Sequence, residues 1–545
     1  MRLAVRAVIG LALGYLGMYL FCVARRLTFA WDIEWMEGGM LTHAARVLSG
    51  KPIYAPPSID FVAFFYTPLY AYVLAALAYL TGGLSFALGR GVSVVASLAT
   101  MGMLFYAGRR EAGLRGGLLA VALYASLFRV CGAFYDLARA DSLALSLALA
   151  ASLLAYYVPS TRGAALSALL FVAAFLTKQT AALPAPMVGL FLLLVSRKRA
   201  LVFAVVGVLV GASAYALLDS HYDGWLRFYT ITGHQGHAFY RDNFFRDYWR
   251  DVLFLAPFLL LLPALGASYG RSSRWAALLC VVLLGVVLLQ SAGGVNYGEH
   301  MYYRELLYAP QLRWLLIAPL GMFALLLAAR ALCRAAEPPP TLFLLLFVAG
   351  ALASDLNHST QWAYSNCFMP IATFGSLYAG ITFAHLTRAA ASLGARGQAA
   401  TGLLVAALFV QLVALRYDPA QQVPRASDQR ALAKLYQRLE AYAGPVLMPA
   451  HPMYSYLRDG TVHLHQMGVG DVAFAGGLND FDKRLAAGEF PTVVEEAGFP
   501  LAGMEQHYER AESLDFAGDD LLSRTGFGVR PGAIWVYRGR LPGTR

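Results

Sequence analysis

Apolar positions in this chain run in blocks of roughly 16 to 25 residues, the length of helix that crosses a hydrocarbon layer of about 30 Å. Polar residues gather between the blocks. The pattern predicts spans over about 3–23, 84–108, 116–135, 141–158, 164–178, 180–195, 200–218, 251–268, 275–291, 312–330, 341–353, 369–386 and 399–416, thirteen in all. A further apolar piece, 68–83, is sixteen residues long; at ~1.5 Å per residue it reaches only ~24 Å and falls short of spanning. It is predicted as a short helix along or dipping into the outer leaflet. Residues 37–48 place Met40, Leu41, Ala44, Val47 and Leu48 on one side of a helix, which predicts an amphipathic helix on the membrane surface with Gly50 as its stop.

Past Arg416 the pattern changes. In 428–442, Leu432, Leu435, Tyr436 and Leu439 share one helical face, and the segments PVLMP, TVHLH, TVVEE and AIWVY alternate as short strands. The predicted fold is thus an all-α polytopic membrane domain over 1–416, with the first outer loop at about 25–83, and a small α/β domain over 417–545. No internal repeat, heptad or low-complexity tract is present.

Composition agrees: of 545 residues, 59% are hydrophobic and 14% charged, against about 25% charged in an average soluble domain. That excludes a disordered chain and an ordinary soluble enzyme. The net charge of +11 belongs to no separate basic domain, so it marks topology and not nucleic acid. With 68–83 not crossing, the loops near 109–115, 159–163, 196–199, 269–274, 331–340 and 387–398, with Arg330, hold thirteen Arg or Lys against two acids, Glu111 and Glu337. These loops are then cytoplasmic, as is the N-terminus behind Arg2 and Arg6. The tail and every histidine except His385 fall on the outer side of a cytoplasmic membrane. Five cysteines, Cys22, Cys131, Cys280, Cys333 and Cys367, lie in or beside apolar blocks without paired spacing and predict no disulfide framework.

Chemistry concentrates on that outer side. WDIEWMEGG places Asp32, Glu34 and Glu37 within six residues, with Glu37 at a helix N-terminus, where the dipole keeps a carboxylate ionised as a base or cation ligand. A helix-start charge without chemistry is the bland alternative. FYDLARADS sets Asp136, Arg139 and Asp141 where a span begins; ionisable groups there are paired or functional, though Asp141 as an N-cap neutralised by Arg139 explains the same pattern. Lys178 and Gln179 end another span, with Arg129 near the same surface; a lone Lys at a helix end also serves as a snorkelling anchor. Two aromatic loops carry His234, His237, Arg241, Glu299, His300 and Arg304, groups that hydrogen-bond a sugar or headgroup, although an interfacial aromatic belt accounts for the rings equally. In the tail, His463 and His465 would share one side of a strand, near His451 and Asp471, without the spacing of a zinc ligand set.

At these residues the chain resembles the GT-C membrane glycosyltransferases, a fold shared by lipid A aminoarabinose transferases and protein O-mannosyltransferases. The likeness covers residues 1–200 by motif and the rest by topology. Glu37 stands nine residues before Arg46 in HAARVLSG, as the family's first acid does before its Arg, with Glu for the usual Asp and Gly38 for the second acid. YTPLYAYVLAALAYLTGG, containing Tyr66, matches the family's Pro-Leu-Tyr helix; Asp141, Thr177-Lys178 and the YSNCFMP segment with Asn366 follow in order.

The resemblance implies transfer of a sugar from a polyprenyl-phosphate donor to a lipid, glycan or protein acceptor at the outer face of the bacterial cytoplasmic membrane, with inversion. It implies Glu37 as base, with Asp32 or Glu34 as substitutes. Asp141 would orient the acceptor or share the role of base, and Lys178, Arg139 and Arg46 would meet the donor phosphate. Tyr66, Asp136, Gln179, His234, His237, Arg241, Glu299, Arg304 and Asn366 would line the substrates. A divalent metal is permitted by the three acids and not demanded, and no other cofactor is implied. On this reading Glu37→Gln abolishes transfer and leaves folding intact. The competing classes are a flippase for lipid-linked saccharides, which would place its polar site near the midplane, and a receptor carried by the tail.

Overall fold

The computed structural model describes residues 2–256, 258–267, 339–478, 481–498, 500–501, 503–516 and 519–539. The predicted spans 275–291 and 312–330 lie outside these residues, as do Glu299, His300 and Arg304. Helices α1 (Arg2–Arg26), α2 (Glu37–Leu48), α3 (Leu69–Thr81), α4 (Phe86–Ser126), α5 (Ala140–Tyr157), α6 (Thr161–Thr177), α7 (Ala185–Val195) and α8 (Arg197–His221) lead the chain. Helices Thr341–His358, Met369–Ala389 and Gly394–Ala414 complete the bundle. Among the described residues seven helices are long and apolar enough to cross a membrane.

The 41 residues of α4 do not form one rod, because Gly113 breaks the helix at φ 73° and the chain turns back on itself. Two predicted spans are the arms of this hairpin. They approach at glycines: a Cβ on Gly108 would lie 2.8 Å from the Gly116 carbonyl oxygen, and one on Gly117 would lie 2.6 Å from the Phe105 carbonyl oxygen. Without hydrophobic drive between helices in lipid, such close backbone approach is what holds them. Gly117→Leu is therefore expected to force the arms apart at a cost of about 1–3 kcal/mol, read as a lower unfolding midpoint in nanodiscs. Helix Met369–Ala389, buried from Met369 to Leu386, packs on the second arm, where Gly380 meets the Ala120 backbone.

The basic loops near 109–115, 159–163, 196–199 and 387–398 meet at one end of the bundle. Arg388 donates to the Ala112 carbonyl at 3.0 Å, His385 lies 3.2 Å from the Glu111 carbonyl, and the Tyr157 hydroxyl donates to Glu111 at 2.9 Å. Arg199 reaches the Ala155 carbonyl at the same end. The acid-bearing loops occupy the other end. Helix α3, thirteen residues or about 20 Å long, is too short to span, as its sequence predicts.

Two local expectations change. Helix α2 is not laid on lipid by one face: all of Glu37–Arg46 is buried, because α3 covers one side while Met453 and His465 of the tail close on Gly38 and Gly39. The segment TVHLH is not a strand. The tail sheet runs β1-β2-β4-β3, with β1 (Val446–Leu447) parallel to β2 (Thr492–Glu496) and β4 (Pro531–Tyr537) antiparallel to β2 and β3 (Tyr508–Ser513). Helix Ala426–Glu440 buries Leu432, Leu435 and Leu439, the predicted face, while Tyr436 sits half-buried against Trp31. Through these contacts the tail's core continues into that of the membrane helices.

Candidate active site

All three acids of the first loop are buried, and each has a different partner. Glu37 accepts from Arg90 on α4 through both oxygens, Nε to Oε1 at 2.9 Å and Nη2 to Oε2 at 2.7 Å. Its oxygens also accept the amides of Ala138 at 2.8 Å, Ile33 at 2.8 Å and Glu34 at 3.4 Å. Burial raises its pKa, but the Arg90 charge and these hydrogen bonds outweigh that and hold the carboxyl below its ordinary value. Arg90 spends its remaining donors on the carbonyls of Arg26, Phe29 and Trp31. The pair thus ties the end of α1, the acid loop and the second outer loop to α4, and Glu37 has no acceptor capacity left for a substrate.

Asp32 accepts from His451 of the tail at 2.8 Å and from the Gly38 amide at 2.6 Å. Burial opposes the charge on His451, yet Glu496 at 3.5 Å and Asp32 push it up to about 10. Asp136 pairs with Arg26 at 2.7 Å. Arg46 donates to the Pro52 carbonyl at 2.8 Å and lies over the Phe61 ring at 4.4 Å. No contact among the described residues joins Asp136 or Arg46 to the group described next, so neither expected role finds support in their placement.

That group begins at Glu34, which accepts from Arg139 Nη1 at 2.7 Å and is pushed up to about 7 by burial despite the arginine. Arg139 Nη2 donates to the Tyr66 hydroxyl at 3.0 Å. The ammonium of Lys178 stands 5.3 Å from the Tyr66 ring centre and donates to Asp141 Oδ1 at 2.6 Å; Asn366 donates to the same oxygen at 3.1 Å. Among the described residues nothing donates to the second oxygen, Oδ2. The helix cap is Arg139, with no side chain bonded to the α5 start, so Asp141 does not serve as an N-cap. Tyr66, Lys178 and Asn366 retain partial exposure and form the open side.

Beside it, the Phe65 carbonyl accepts from Gln179 at 2.8 Å and lies 3.1 Å from His234 Nε2, whose basicity burial lowers. His237 contacts Asp471 at 3.2 Å. Arg241 is exposed on the loop beyond. His463 and His465 are buried separately, the first against Phe490 and the second 2.9 Å from the Trp35 carbonyl. No three His, Cys, Asp or Glu side chains among the described residues converge as a metal site, and Asp32, Glu34 and Glu37 each already hold a cationic partner. Sequence reasoning overlooked Arg90, although an arginine inside an apolar block was signal enough. The sequence singles out His451 beside His463 and His465, but nothing local marks it as the partner of Asp32.

No family model matches the chain, and no curated protein matches it in sequence. Among solved structures it is similar to ArnT from Cupriavidus metallidurans bound to undecaprenyl phosphate, at 14% identity over 99% of each chain with a TM-score of 0.48. The apo ArnT structure gives 14% identity over 90% of this chain and 92% of that one, with a TM-score of 0.43. The oligosaccharyltransferase AglB from Archaeoglobus fulgidus, in complex with an inhibitory peptide and a dolichol-phosphate, gives 12% identity over 90% of this chain and 69% of that one, with a TM-score of 0.44. ArnT and AglB are GT-C fold glycosyltransferases.

Proposed function

We propose that this protein is an inverting membrane glycosyltransferase that moves a sugar from a polyprenyl-phosphate carrier to an acceptor at the outer face of the cytoplasmic membrane. The observation that carries the reading is Asp141, with one oxygen bonded to Lys178 and Asn366 and the other given no donor by any of the described residues. An acceptor N–H or O–H donating to Oδ2 would attack the anomeric carbon. The bond from that carbon to the phosphate oxygen breaks, polyprenyl phosphate leaves, and the acceptor proton ends on Asp141. Developing positive charge at the sugar ring is stabilised by the same carboxylate.

Lys178 is the partly exposed cation and takes the donor phosphate; Arg139, already bonded to Glu34 and Tyr66, orients that side of the site. Phosphate and Asp141 compete for one ammonium. Donor binding therefore frees the carboxylate to act as a base, which couples proton removal to the presence of donor. Glu37 becomes a positioning residue on this reading, since its oxygens are saturated. The basic end of the bundle faces the cytoplasm by charge, which puts the site outside. A flippase would need its polar site near the midplane, whereas Glu34, Arg139, Asp141 and Lys178 lie at helix ends or in the loops beside them.

The test is consumption of labelled polyprenyl-phosphate sugars by protein in nanodiscs. Wild type is expected to deplete one donor and label an acceptor from membrane extract, and Lys178→Gln to raise the donor KM by about tenfold or more, the loss of one charge-assisted contact of roughly 1.5–3 kcal/mol. Depletion of no donor by wild type would overturn the reading.

A further inference from the structure

The acid loop is gripped by the tail at nearly every residue. His451 bonds Asp32; the amide of Arg524 donates to the Ile33 carbonyl at 2.8 Å; Thr525 bridges to the Glu34 backbone; His465 meets the Trp35 carbonyl at 2.9 Å. Of these, the turn at 524–527 also contacts two further loops of the membrane part. The Thr525 hydroxyl donates to the Gly132 carbonyl of the second outer loop at 2.5 Å and lies 3.0 Å from the Tyr364 hydroxyl, two residues before Asn366. Gly526 has φ +77°, and a Cβ on it would stand 2.7 Å from both Cγ and Oε1 of Glu34. Phe527 stacks obliquely on Trp35 at 5.2 Å. Arg524 is in turn anchored to Asp428 on the first tail helix.

One short turn therefore touches the three loops that carry Glu34, Arg139 and Asn366. We propose that the turn Arg524–Phe527 is a positioning element of the transfer site, fixing the Glu34 carboxylate so that Arg139 is aimed at Tyr66 and the Asp141–Lys178 pair. This rests on the glycosyltransferase reading above for its consequence, not for its geometry. Glu34 is wedged between Gly526 on one side and the Arg139 guanidinium on the other, so its position is set by the absence of a side chain at 526. The Thr525 hydroxyl fixes the height of the turn over the second outer loop. None of the turn's residues need touch a substrate.

The experiment compares Gly526→Ala, Thr525→Val and Thr525→Ser with wild type in nanodiscs. Displacing a reacting constellation by about 1 Å costs on the order of 100-fold, so Gly526→Ala is expected to lower kcat by about that much with the donor KM within about twofold. Thr525→Val, which keeps the shape and deletes the hydroxyl, is expected to lose about tenfold in kcat, and Thr525→Ser to recover it. Thr525→Val decides the matter if Gly526→Ala does not fold.

A second readout is independent of transfer: the pH midpoint of the protonated carboxyl band assigned to Glu34 by Glu34→Gln in infrared difference spectra. Pushing the carboxylate off Arg139 removes a favourable charge, so the midpoint should rise in Gly526→Ala or, if that variant does not fold, in Thr525→Val. Wild-type kcat and an unmoved midpoint in the folded variants would overturn the proposal while leaving the transferase standing. A wild type that consumes no donor but whose midpoint shifts on substitution would do the reverse.

Discussion

Asp141→Asn is expected to lower kcat for sugar transfer by about 10²–10⁴-fold, the range a positioned proton acceptor contributes. Asparagine keeps the size of the side chain and still offers an oxygen to Asn366 and Lys178, so the bundle end keeps its packing. It removes the ability to take a proton. It also releases Lys178 from an anionic partner, so the donor KM should stay level or fall. A drop in kcat with no rise in KM marks an interaction made in the transition state and not in the ground state. Initial rates at saturating donor check the point, and turnover within a few-fold of wild type would remove Asp141 from the chemistry.

The second large effect is on folding. Arg90→Met strands the buried Glu37 carboxylate, and breaking a buried pair by removing one partner costs roughly 3–5 kcal/mol. Glu37→Gln should destabilise as well, because Arg90 then keeps its charge without a counter-ion; this replaces the expectation that Glu37→Gln leaves folding intact. Arg90→Met combined with Glu37→Met should recover most of the loss, since a well-packed apolar pair of similar volume is often as stable as the ion pair. Unfolding midpoints in nanodiscs complete the cycle, and a double variant as unstable as Arg90→Met alone would contradict it.

The pH dependence has a definite sign. Glu37 titrates below its unfolded value near 4.3, so the stability it contributes is present above that value and lost as pH falls through the lower folded one. Glu34, raised to about 7, acts oppositely: its contribution is complete below the unfolded value and lost as pH rises through about 7.

Much of this architecture is legible in the chain itself. Periodicity placed α2, the short α3 and the buried face of helix Ala426–Glu440, and the charge of a few loops separated the two ends of the bundle before any contact was known. Glu34, Asp141 and Lys178 stand out because charged groups beside a membrane need a reason, and Asn366 only through the resemblance of the YSNCFMP segment. What pattern could not convey is pairing. Glu37 stands out in sequence as an available carboxylate because its five donors come from Arg90, Ala138 and its own loop, and a saturated acid and a free one look alike in one dimension. TVHLH alternates as a strand does, yet its backbone turns to deliver the His465 ring to Trp35. The tail's hold on the acid loop depends on contacts between residues hundreds of positions apart, which no local signal carries.

That separation has a consequence for how the protein is made. Residues 31–38 leave the ribosome early, and the turn that fixes Glu34 leaves it late, after the membrane-spanning helices between them have been made. Contacts of such long range form only after the intervening chain is ordered. A nascent chain therefore carries its lysine and carboxylates as separate, unaligned groups throughout insertion, and the complete site appears as the closing act of biogenesis.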